Sequence, residues 1–422
     1  MRTIGVLAGL VMSALPALAQ VEAGKEQTVL IPSMGTHMKV YAPSNYTTDR
    51  VWPVIFFYHG AGGRPDTGFL RSHTGGRDFV IVGMPYAESG VPRRTPEQQR
   101  AYVLKERDQL RAAAGWMISN AHADRSRVYL AGASKGGWHV GMLAQQDVGN
   151  LGGLIILIGG CSREAAKKPG MRFRKMPVYI GVGETDGGFV PSVRARDYYR
   201  KNGAFVTFEI YEGLGHQTPG KIPLLAAWLE AQARYARASV DLQNELRREM
   251  GARYKEILAM TDGGPRYRAL RAFANDPRLP FCGATTHRTV RDRIGQIAAA
   301  SPAKDEWHAE QTFGQLVWQE TTMRRLRDLE KVAVGMRGLG DAYGHTLYGK
   351  AAQRCVGPIE AAYAKSVEAT EKASAEAGLT RPKPRPVGTV VPAFPTFTRP
   401  SAHRPVRDGN RIIFKPNESG KK

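Results

Sequence analysis

Two patterns of apolar and polar positions alternate along the chain up to residue 235. Continuous apolar runs such as Val51–Tyr58 and Gly153–Ile158 are separated by amphipathic stretches such as Pro96–Ala121. Short apolar runs predict buried strands, and amphipathic stretches predict helices. Within Gln27–Tyr41, two β-like pieces on either side of Pro32–Gly35 predict a hairpin. Strands that alternate with helices predict an α/β fold with a mostly parallel sheet and flanking helices over residues 20–235.

The composition changes beyond residue 235. Runs of β-branched residues disappear from residues 236–380, and Ala, Arg, Glu, Leu and Gln dominate, which predicts a helical domain of unknown role. The predicted helices are Val240–Met260, Arg266–Asn275, Arg288–Ala300, Asp305–Val334 and Gly357–Ala377. Residues 381–422 interleave prolines with basic residues. Dense proline prevents helix and sheet, so an extended, disordered basic tail is expected there.

The first 19 residues have the three parts of a secretory signal peptide. Arg2 provides a basic start, Ile4–Leu18 is an apolar core, and Ala17-Leu18-Ala19 is a small-x-small cleavage site. The apolar core is too short to span a membrane, although a membrane anchor is the alternative. The sequence therefore predicts a periplasmic or secreted protein that is cleaved after Ala19, with no transmembrane segment in the mature chain.

The chain of 422 residues carries a formal net charge of +22, which favours anionic partners. An anionic envelope surface, bound through the basic tail, is one candidate. The predicted export and the lack of a recognisable reader motif argue against nucleic acid. The three cysteines, Cys161, Cys282 and Cys355, lack metal-ligand spacing. Cys161 lies in an apolar run and is expected to be a buried thiol, and a disulfide between Cys282 and Cys355 is left open.

One stretch organises the candidate chemistry. The apolar run Val128–Ala131 meets Gly132-Ala-Ser-Lys-Gly136, and a predicted helix follows. This is the strand, turn and helix context of a nucleophile elbow, in which small residues let the strand and the helix approach each other. Ser134 is the candidate nucleophile. The alternative is a glycine-rich turn with a capping serine.

A serine hydroxyl needs a base, and the base needs an orienting acid. His216 follows the predicted strand Phe205–Tyr211, and Asp186 follows the predicted strand Met176–Gly183. Type, order and position at strand ends all suit a Ser-His-Asp triad, with Glu184 as the competing acid. The alternatives are a histidine that holds a turn and a carboxylate that caps the next helix.

A second glycine-rich segment, His59-Gly-Ala-Gly-Gly63, follows a predicted buried strand. Its glycines allow backbone amides to face a reaction centre, so the amides of Ala61 and Lys135 are the candidate oxyanion hole. A flexible glycine loop is the alternative. Trp138, four residues after the candidate nucleophile, is expected to pack in the core.

These motifs together resemble the α/β-hydrolase superfamily. More narrowly they resemble secreted poly(3-hydroxybutyrate) depolymerases and feruloyl esterase-like enzymes. The matching segments are His59–Gly63, Asp124–Tyr129 running into Gly132–Gly137, Gly183–Asp186 with Val190-Pro191, and Tyr211–Pro219. The resemblance covers about half the chain. It implies an α/β-hydrolase fold and a serine carboxylesterase that needs neither metal nor cofactor and forms an acyl-enzyme. Lys135 departs from the small or amide residue usual in the narrower group, which leaves the substrate open.

The sequence therefore leaves three functions open. The first is an exported serine carboxylesterase that acts on a small or polymeric ester through Ser134, His216 and Asp186. The second is a serine peptidase on the same fold, against which the missing propeller-like N-terminal region argues. The third is a binding protein that uses its basic regions on an envelope polyanion and carries an incidental hydrolase domain.

Overall fold

A computed structural model describes the protein's fold over most of the chain. The described residues are 21–31, 33, 35–88, 95–146, 150–160, 173–261, 263–298, 303–322, 326–376, 406–408 and 411–413. The predicted signal peptide and the predicted buried thiol of Cys161 lie outside these residues, as does most of the predicted basic tail.

The centre of the fold is an eight-stranded sheet with the order β1-β2-β4-β3-β5-β6-β7-β8. Its strands are β1 (Glu26–Ile31), β2 (Thr36–Tyr41), β3 (Trp52–Tyr58), β4 (Val80–Met84), β5 (Ala123–Ala133), β6 (Gly153–Leu157), β7 (Pro177–Gly183) and β8 (Phe205–Tyr211). The β1–β2 and β2–β4 pairs are antiparallel, and every other pair is parallel. The predicted hairpin and the mostly parallel sheet are confirmed. The strand that leads into the elbow is longer than the apolar run Val128–Ala131, because Asp124–Arg127 is also part of β5.

Burial on both faces explains why the central strands are continuous apolar runs. Every residue of β3 and of β4 is buried. Alternate β3 side chains enter different cores, because side chains of a strand point to opposite faces. Val54 and Phe56 belong to one hydrophobic cluster, and Ile55 and Phe57 belong to the other.

Helices cover both faces of the sheet and make up the second half of the described chain. Those between strands are α1 (Gly68–Thr74), α2 (Pro96–Asn120), α3 (Lys135–Leu143) and α4 (Phe189–Lys201). After β8 come α5 (Pro223–Tyr235), α6 (Val240–Ala259), α7 (Gly263–Ala274), α8 (Ala284–Ala298), α9 (Lys304–Thr322), α10 (Leu326–Tyr343) and α11 (Leu347–Glu376). A short 3-10 helix, Leu279–Cys282, precedes α8.

The single helix predicted over Asp305–Val334 is wrong, because the chain reverses there and forms the antiparallel neighbours α9 and α10. The two helices approach closely at Gly335, where a Cβ atom would lie 2.6 Å from Leu316 Cδ2 and would displace that side chain. Apolar periodicity continues across both helices, so periodicity alone did not reveal the reversal. Helix α11 also begins ten residues before the predicted start, Gly357.

The helices after β8 share a core with the sheet. Phe189 of α4 packs its ring 6.0 Å from that of Phe313 in α9 and 6.1 Å from that of Tyr348 in α11, centre to centre. The three residues belong to the same hydrophobic cluster as β3 and β7. Residues 1–368 accordingly form one compact unit, and residues 369–422 form a second. In the second unit, a hairpin of β9 (Val406–Asp408) and β10 (Arg411–Ile413) lies within the segment predicted as an extended tail.

Asn275 covers part of the edge strand β8. Its amide nitrogen donates to the Phe208 carbonyl oxygen at 2.7 Å, and its amide oxygen accepts from the Phe208 amide at 2.9 Å. An uncovered strand edge invites pairing with another chain. The segment after α7 therefore satisfies backbone groups that a ninth strand would otherwise bond.

The structure does not contain the disulfide that the sequence left open. Within the described part of the chain, neither Cys282 nor Cys355 forms a disulfide bond. Cys282 is buried in a cluster formed by α5 to α8, whereas Cys355 packs against the cluster that includes the sheet. The two thiols lie in different packing environments, which spacing along the chain did not show.

We expect Phe313→Ala to lower the free energy of unfolding by about 3–5 kcal/mol, because it removes a fully buried ring and leaves a cavity between α4, α9 and α11. Val240→Ala is the control, since Val240 is 70% exposed and the change should stay within about 0.5 kcal/mol. Urea unfolding of both variants measures the difference. Equal effects would show that the shared core does not hold the helical region to the sheet.

Candidate active site

The turn between β5 and α3 holds Ser134 in a strained conformation. Its backbone angles are φ 52° and ψ −116°. A conformation of this kind costs on the order of 1–3 kcal/mol and persists only where the surroundings impose it. Glycines permit that constraint. A Cβ atom at Gly132 would overlap the Gly136 carbonyl, and one at Gly136 would overlap the Tyr58 carbonyl. The predicted strand, turn and helix are therefore present, with the Ser134 hydroxyl at the sheet's carboxyl edge.

The structure brings Ser134, His216 and Asp186 together. The Ser134 Oγ lies 2.7 Å from His216 Nε2. On the other side of the ring, His216 Nδ1 lies 2.9 Å from Asp186 Oδ1 and 3.0 Å from Oδ2. The Asp186 side chain is only 1% exposed, whereas that of His216 is 54% exposed. A buried carboxylate thus faces one ring nitrogen, and a serine hydroxyl faces the other.

The loops that carry Asp186 and His216 are fastened to each other. The Thr185 amide donates to the Leu214 carbonyl oxygen at 2.9 Å. A Cβ atom at Gly183 would overlap the Gly215 carbonyl, so the end of β7 touches the loop that carries His216. The Gly188 amide donates to Asp186 Oδ1 at 2.7 Å, which fixes the carboxylate. These contacts hold the Asp186 carboxylate next to the His216 imidazole.

Glu184, the competing acid, has a different partner. Its Oε2 accepts from the Gly213 amide at 3.0 Å. Its backbone carbonyl oxygen accepts from Arg354 Nη2 of α11 at 2.8 Å. Glu184 therefore helps to tie the two loops and α11 together, and Asp186 is the carboxylate beside the imidazole.

The segment His59–Gly63 lies directly beside the elbow. A Cβ atom at Gly60 would be 3.5 Å from Ser134 Cβ. Gly63 leaves room for the His59 ring, because a Cβ atom there would be 2.8 Å from His59 Nδ1. The amide of Lys135 opens α3 next to Ser134, and Ala61 is exposed in the same loop. The assignment of the Ala61 and Lys135 amides as oxyanion donors stays a prediction.

Tyr86, which sequence reasoning missed, anchors that segment. Its hydroxyl donates to the His59 carbonyl oxygen at 2.6 Å, and the two rings meet edge to face at 4.9 Å. Burial, with the nearby charge of Glu106, raises the pKa of Tyr86, so its hydroxyl stays protonated and can donate. The Lys135 ammonium lies 3.9 Å from the centre of the Tyr86 ring. Burial lowers the pKa of Lys135, and the charge of Glu106 opposes that shift.

Helix α2 fixes the loop that carries Tyr86. Glu106 Oε1 accepts from the Ala87 amide at 2.9 Å, and Gln109 Nε2 donates to the Pro85 carbonyl oxygen at 2.8 Å. The other oxygen of the fully buried Glu106 lies 3.3 Å from Nε2 of the buried His139 in α3. The only sequence signal for this support was the position of Tyr86, two residues after the buried strand β4.

Trp138, predicted to pack in the core, is instead 37% exposed. It lies one helical turn after Ser134, and its amide donates to the Ser134 carbonyl oxygen at 3.1 Å. The far end of its indole packs beside Gly160 and Pro191, because a Cβ atom at Gly160 would lie 2.8 Å from both. The prediction failed because the first turn of α3 lies at the carboxyl edge of the sheet, where the Trp138 side chain is only partly covered.

Comparisons with known proteins give structural likenesses only. No family model matches the chain, and no curated protein matches it. SOBER1 from Arabidopsis thaliana is 17% identical with a TM-score of 0.35, over 43% of this chain and 98% of that one. A phospholipase/carboxylesterase from Dyadobacter fermentans is 16% identical with a TM-score of 0.35, over 47% of this chain and 93% of that one. A feruloyl esterase module from Clostridium thermocellum is 13% identical with a TM-score of 0.35, over 46% of this chain and 81% of that one.

The chain has the α/β-hydrolase fold. The strand order, the antiparallel β2 and the elbow between β5 and α3 define it. Likenesses at these scores do not establish an activity. Within the described residues, no group of His, Cys, Asp and Glu side chains could hold a metal ion. No helix in the described part of the chain is long and apolar enough to cross a membrane.

We expect Tyr86→Phe to lower kcat for a carboxylic ester by about five- to thirtyfold with little change in KM. The variant leaves the His59 carbonyl without its donor and loosens the loop that lies beside Ser134. Steady-state kinetics on p-nitrophenyl butyrate measures both constants.

Tyr58→Phe is the matched control for Tyr86→Phe. The two tyrosine rings lie 5.7 Å apart in one buried cluster, and among the described residues the Tyr58 hydroxyl has no hydrogen-bond partner. Tyr58→Phe should therefore keep kcat near that of the wild type. An equal fall in both variants would mean that the cluster, and not the bond to His59, supports turnover.

Proposed function

We propose that this protein is a serine carboxylesterase. The observation that carries the proposal is the array of the Ser134 hydroxyl, the His216 imidazole and the buried Asp186 carboxylate, with heavy-atom distances of 2.7 and 2.9 Å. A serine hydroxyl needs such an array to become a nucleophile at neutral pH. The strained backbone at Ser134 supports the same assignment, since strain of this kind concentrates at functional sites.

In the proposed reaction, the Ser134 Oγ attacks the ester carbonyl carbon while His216 Nε2 accepts the hydroxyl proton. The carbonyl oxygen becomes an oxyanion, and the amides of Ala61 and Lys135 stabilise it. When the intermediate collapses, His216 returns the proton to the departing alcohol and an acyl-enzyme remains. Water then attacks the acyl carbon with His216 as the base, and Ser134 is regenerated with release of the acid. Asp186 stays ionised and holds His216 in the tautomer that presents Nε2 to the serine.

The exposed indole of Trp138 favours an ester with an apolar or aromatic acyl group. It lies one turn from the proposed nucleophile and provides a flat apolar surface at the entrance to the site. This agrees with the resemblance to feruloyl esterase-like enzymes.

We expect the purified protein to hydrolyse short-chain and aromatic p-nitrophenyl esters and Ser134→Ala to abolish that activity. Asp186→Asn should lower kcat by about 10⁴, because the amide favours the wrong histidine tautomer. Glu184→Gln is the matched control. Its side-chain oxygen can still accept from Gly213, so it should keep most of the activity. Steady-state kinetics and labelling by a fluorophosphonate probe are the measurements.

The other outcomes separate the alternatives. Cleavage of prolyl peptide anilides in preference to esters would indicate the peptidase. A folded protein that is inert on every ester and unlabelled by the probe would exclude catalysis by Ser134, and the polyanion-binding function would then lead. A larger loss in Glu184→Gln than in Asp186→Asn would reassign the acid.

We also propose that the protein is exported, with the basic residues 381–422 binding an anionic envelope surface. The basic start, apolar core and small-x-small site of residues 1–19 support export, and the net charge of +22 supports the anionic partner. Both remain hypotheses from the sequence.

We expect the mature protein, expressed from the full chain, to be recovered outside the cytoplasm with Gln20 as its first residue. Leu10→Arg, which interrupts the apolar core, should leave the uncleaved chain in the cytoplasm, whereas Thr3→Ser outside that core should have no effect. Cell fractionation with N-terminal sequencing measures both. An unprocessed wild-type chain in the cytoplasm would refute export.

A further inference from the structure

A polar groove lies at the opposite end of α4 from the candidate active site. A cavity of about 850 Å³ lies between α4, the first residues of β8, and helices α7, α8 and α9. A neighbouring cavity of about 430 Å³ lies along α9. The two share Arg196, Arg200, Arg291, Glu310 and Gln311 in their linings, so they form one continuous groove. Each volume lies within the range of about 300–1,000 Å³ that small-molecule sites occupy.

The groove is separate from the triad. Asp186 precedes the start of α4, and Arg200 is near its end, about 20 Å away for a helix of 13 residues. Likewise, the groove contacts the start of β8, whereas His216 follows its end. A small ligand bound in the groove would therefore not also contact Ser134.

A buried ion-pair network forms the floor of the groove. Arg196 is 3% exposed, and its Nη1 lies 2.8 Å from Glu310 Oε1. Arg271 Nη2 lies 2.9 Å from the other oxygen of Glu310, and Arg196 Nε lies 2.8 Å from Asp197 Oδ1. Although burial opposes it, the positive charges of Arg271 and Arg196 hold the pKa of Glu310 below its usual value. The floor is thus internally paired and rigid.

Two further arginines line the groove without such a pairing. Among the described residues, neither Arg200 nor Arg291 makes a hydrogen bond or an ion pair through its side chain. Removal from water, together with Arg196 and Arg291, lowers the pKa of Arg200 to about 9, which leaves it charged at neutral pH. Each guanidinium has five donors in a fixed plane that suits a carboxylate, sulfate or phosphate. The uncompensated charge lies where the two cavities meet.

The rest of the lining suits hydroxyl groups. Gln311, Gln315 and Gln319 recur every four residues, so they line one exposed face of α9. Two half-buried indoles, Trp307 and Trp318, belong to the linings of the two cavities. Amides bond hydroxyls as donors and as acceptors, and indoles contact apolar ring faces.

Carboxylates also line the groove. Asp197, Asp292 and Glu310 are among its lining residues, and carboxylate oxygens accept hydrogen bonds from hydroxyls. A ligand that carries both hydroxyls and a few anionic groups fits this mixture.

We propose that the groove binds an acidic oligosaccharide, with Arg200 and Arg291 on its anionic groups and the α9 glutamines on its hydroxyls. This site goes beyond the proposed esterase activity and does not depend on it. It would hold a charged polymer on the protein while leaving the Ser134 site open for an ester.

Isothermal titration calorimetry of the full chain tests the proposal. Trigalacturonate should bind, and the neutral maltotriose should not. The double variant Arg200→Gln with Arg291→Gln should weaken trigalacturonate binding at least tenfold. The matched control is Arg247→Gln with Arg248→Gln, which removes the same charge from the exposed surface of α6 and should bind as the wild type does.

A second variant guards against misfolding of the first. Gln315→Glu puts a negative charge into the groove at an exposed position and should also weaken binding. Failure of trigalacturonate to bind, or equal weakening by both arginine pairs, would overturn the proposal. So would tighter binding of a single-stranded DNA decamer that depends on Arg200 and Arg291. Because trigalacturonate carries no ester, these results do not depend on whether Ser134 is catalytic.

Discussion

The turn at Ser134 is the constraint on which the site depends. A positive φ at a serine is unfavourable, and the turn persists because β5, α3 and the end of β3 are packed too closely for an alternative. That close packing requires glycine at positions 132 and 136. It also sets Ser134 against the loop that begins at His59. The close approach of these backbones therefore fixes the positions of both the candidate nucleophile and the loop that faces it.

Support for this arrangement comes from parts of the chain that lie far apart in sequence. Tyr86 and α2 hold the loop after β3, and the contacts between the β7 and β8 loops hold Asp186 against His216. Arg354 of α11 reaches the same loops through the Glu184 carbonyl. Contacts from α2, which packs on the sheet, and from α11 in the C-terminal helical region thus stabilise the candidate site.

Helix α4 joins the two functional proposals. Its first residue, Phe189, follows the loop that carries Asp186 and packs against the helical region, and its end presents Arg200 to the groove. Because α4 belongs to the shared hydrophobic core, the helical region is not a loosely attached appendage. It contributes α9 and α8 to a groove that the hydrolase fold alone would lack.

The sequence by itself determined the local chemistry and the alternation of elements. Periodicity and glycine spacing predicted the strands, the elbow at Ser134 and the placement of Asp186 and His216 after their strands, because these are properties of short segments. Whether Asp186 or Glu184 faces the imidazole was decided only by the tertiary structure, since two carboxylates two residues apart look alike until a loop gives each a partner. The same holds for the reversal between α9 and α10, the separate packing of Cys282 and Cys355, and the exposure of Trp138. Tyr86 and the groove arginines were likewise invisible in the sequence, because their environment is assembled from distant segments, such as Arg196 and Glu310, which are 114 residues apart.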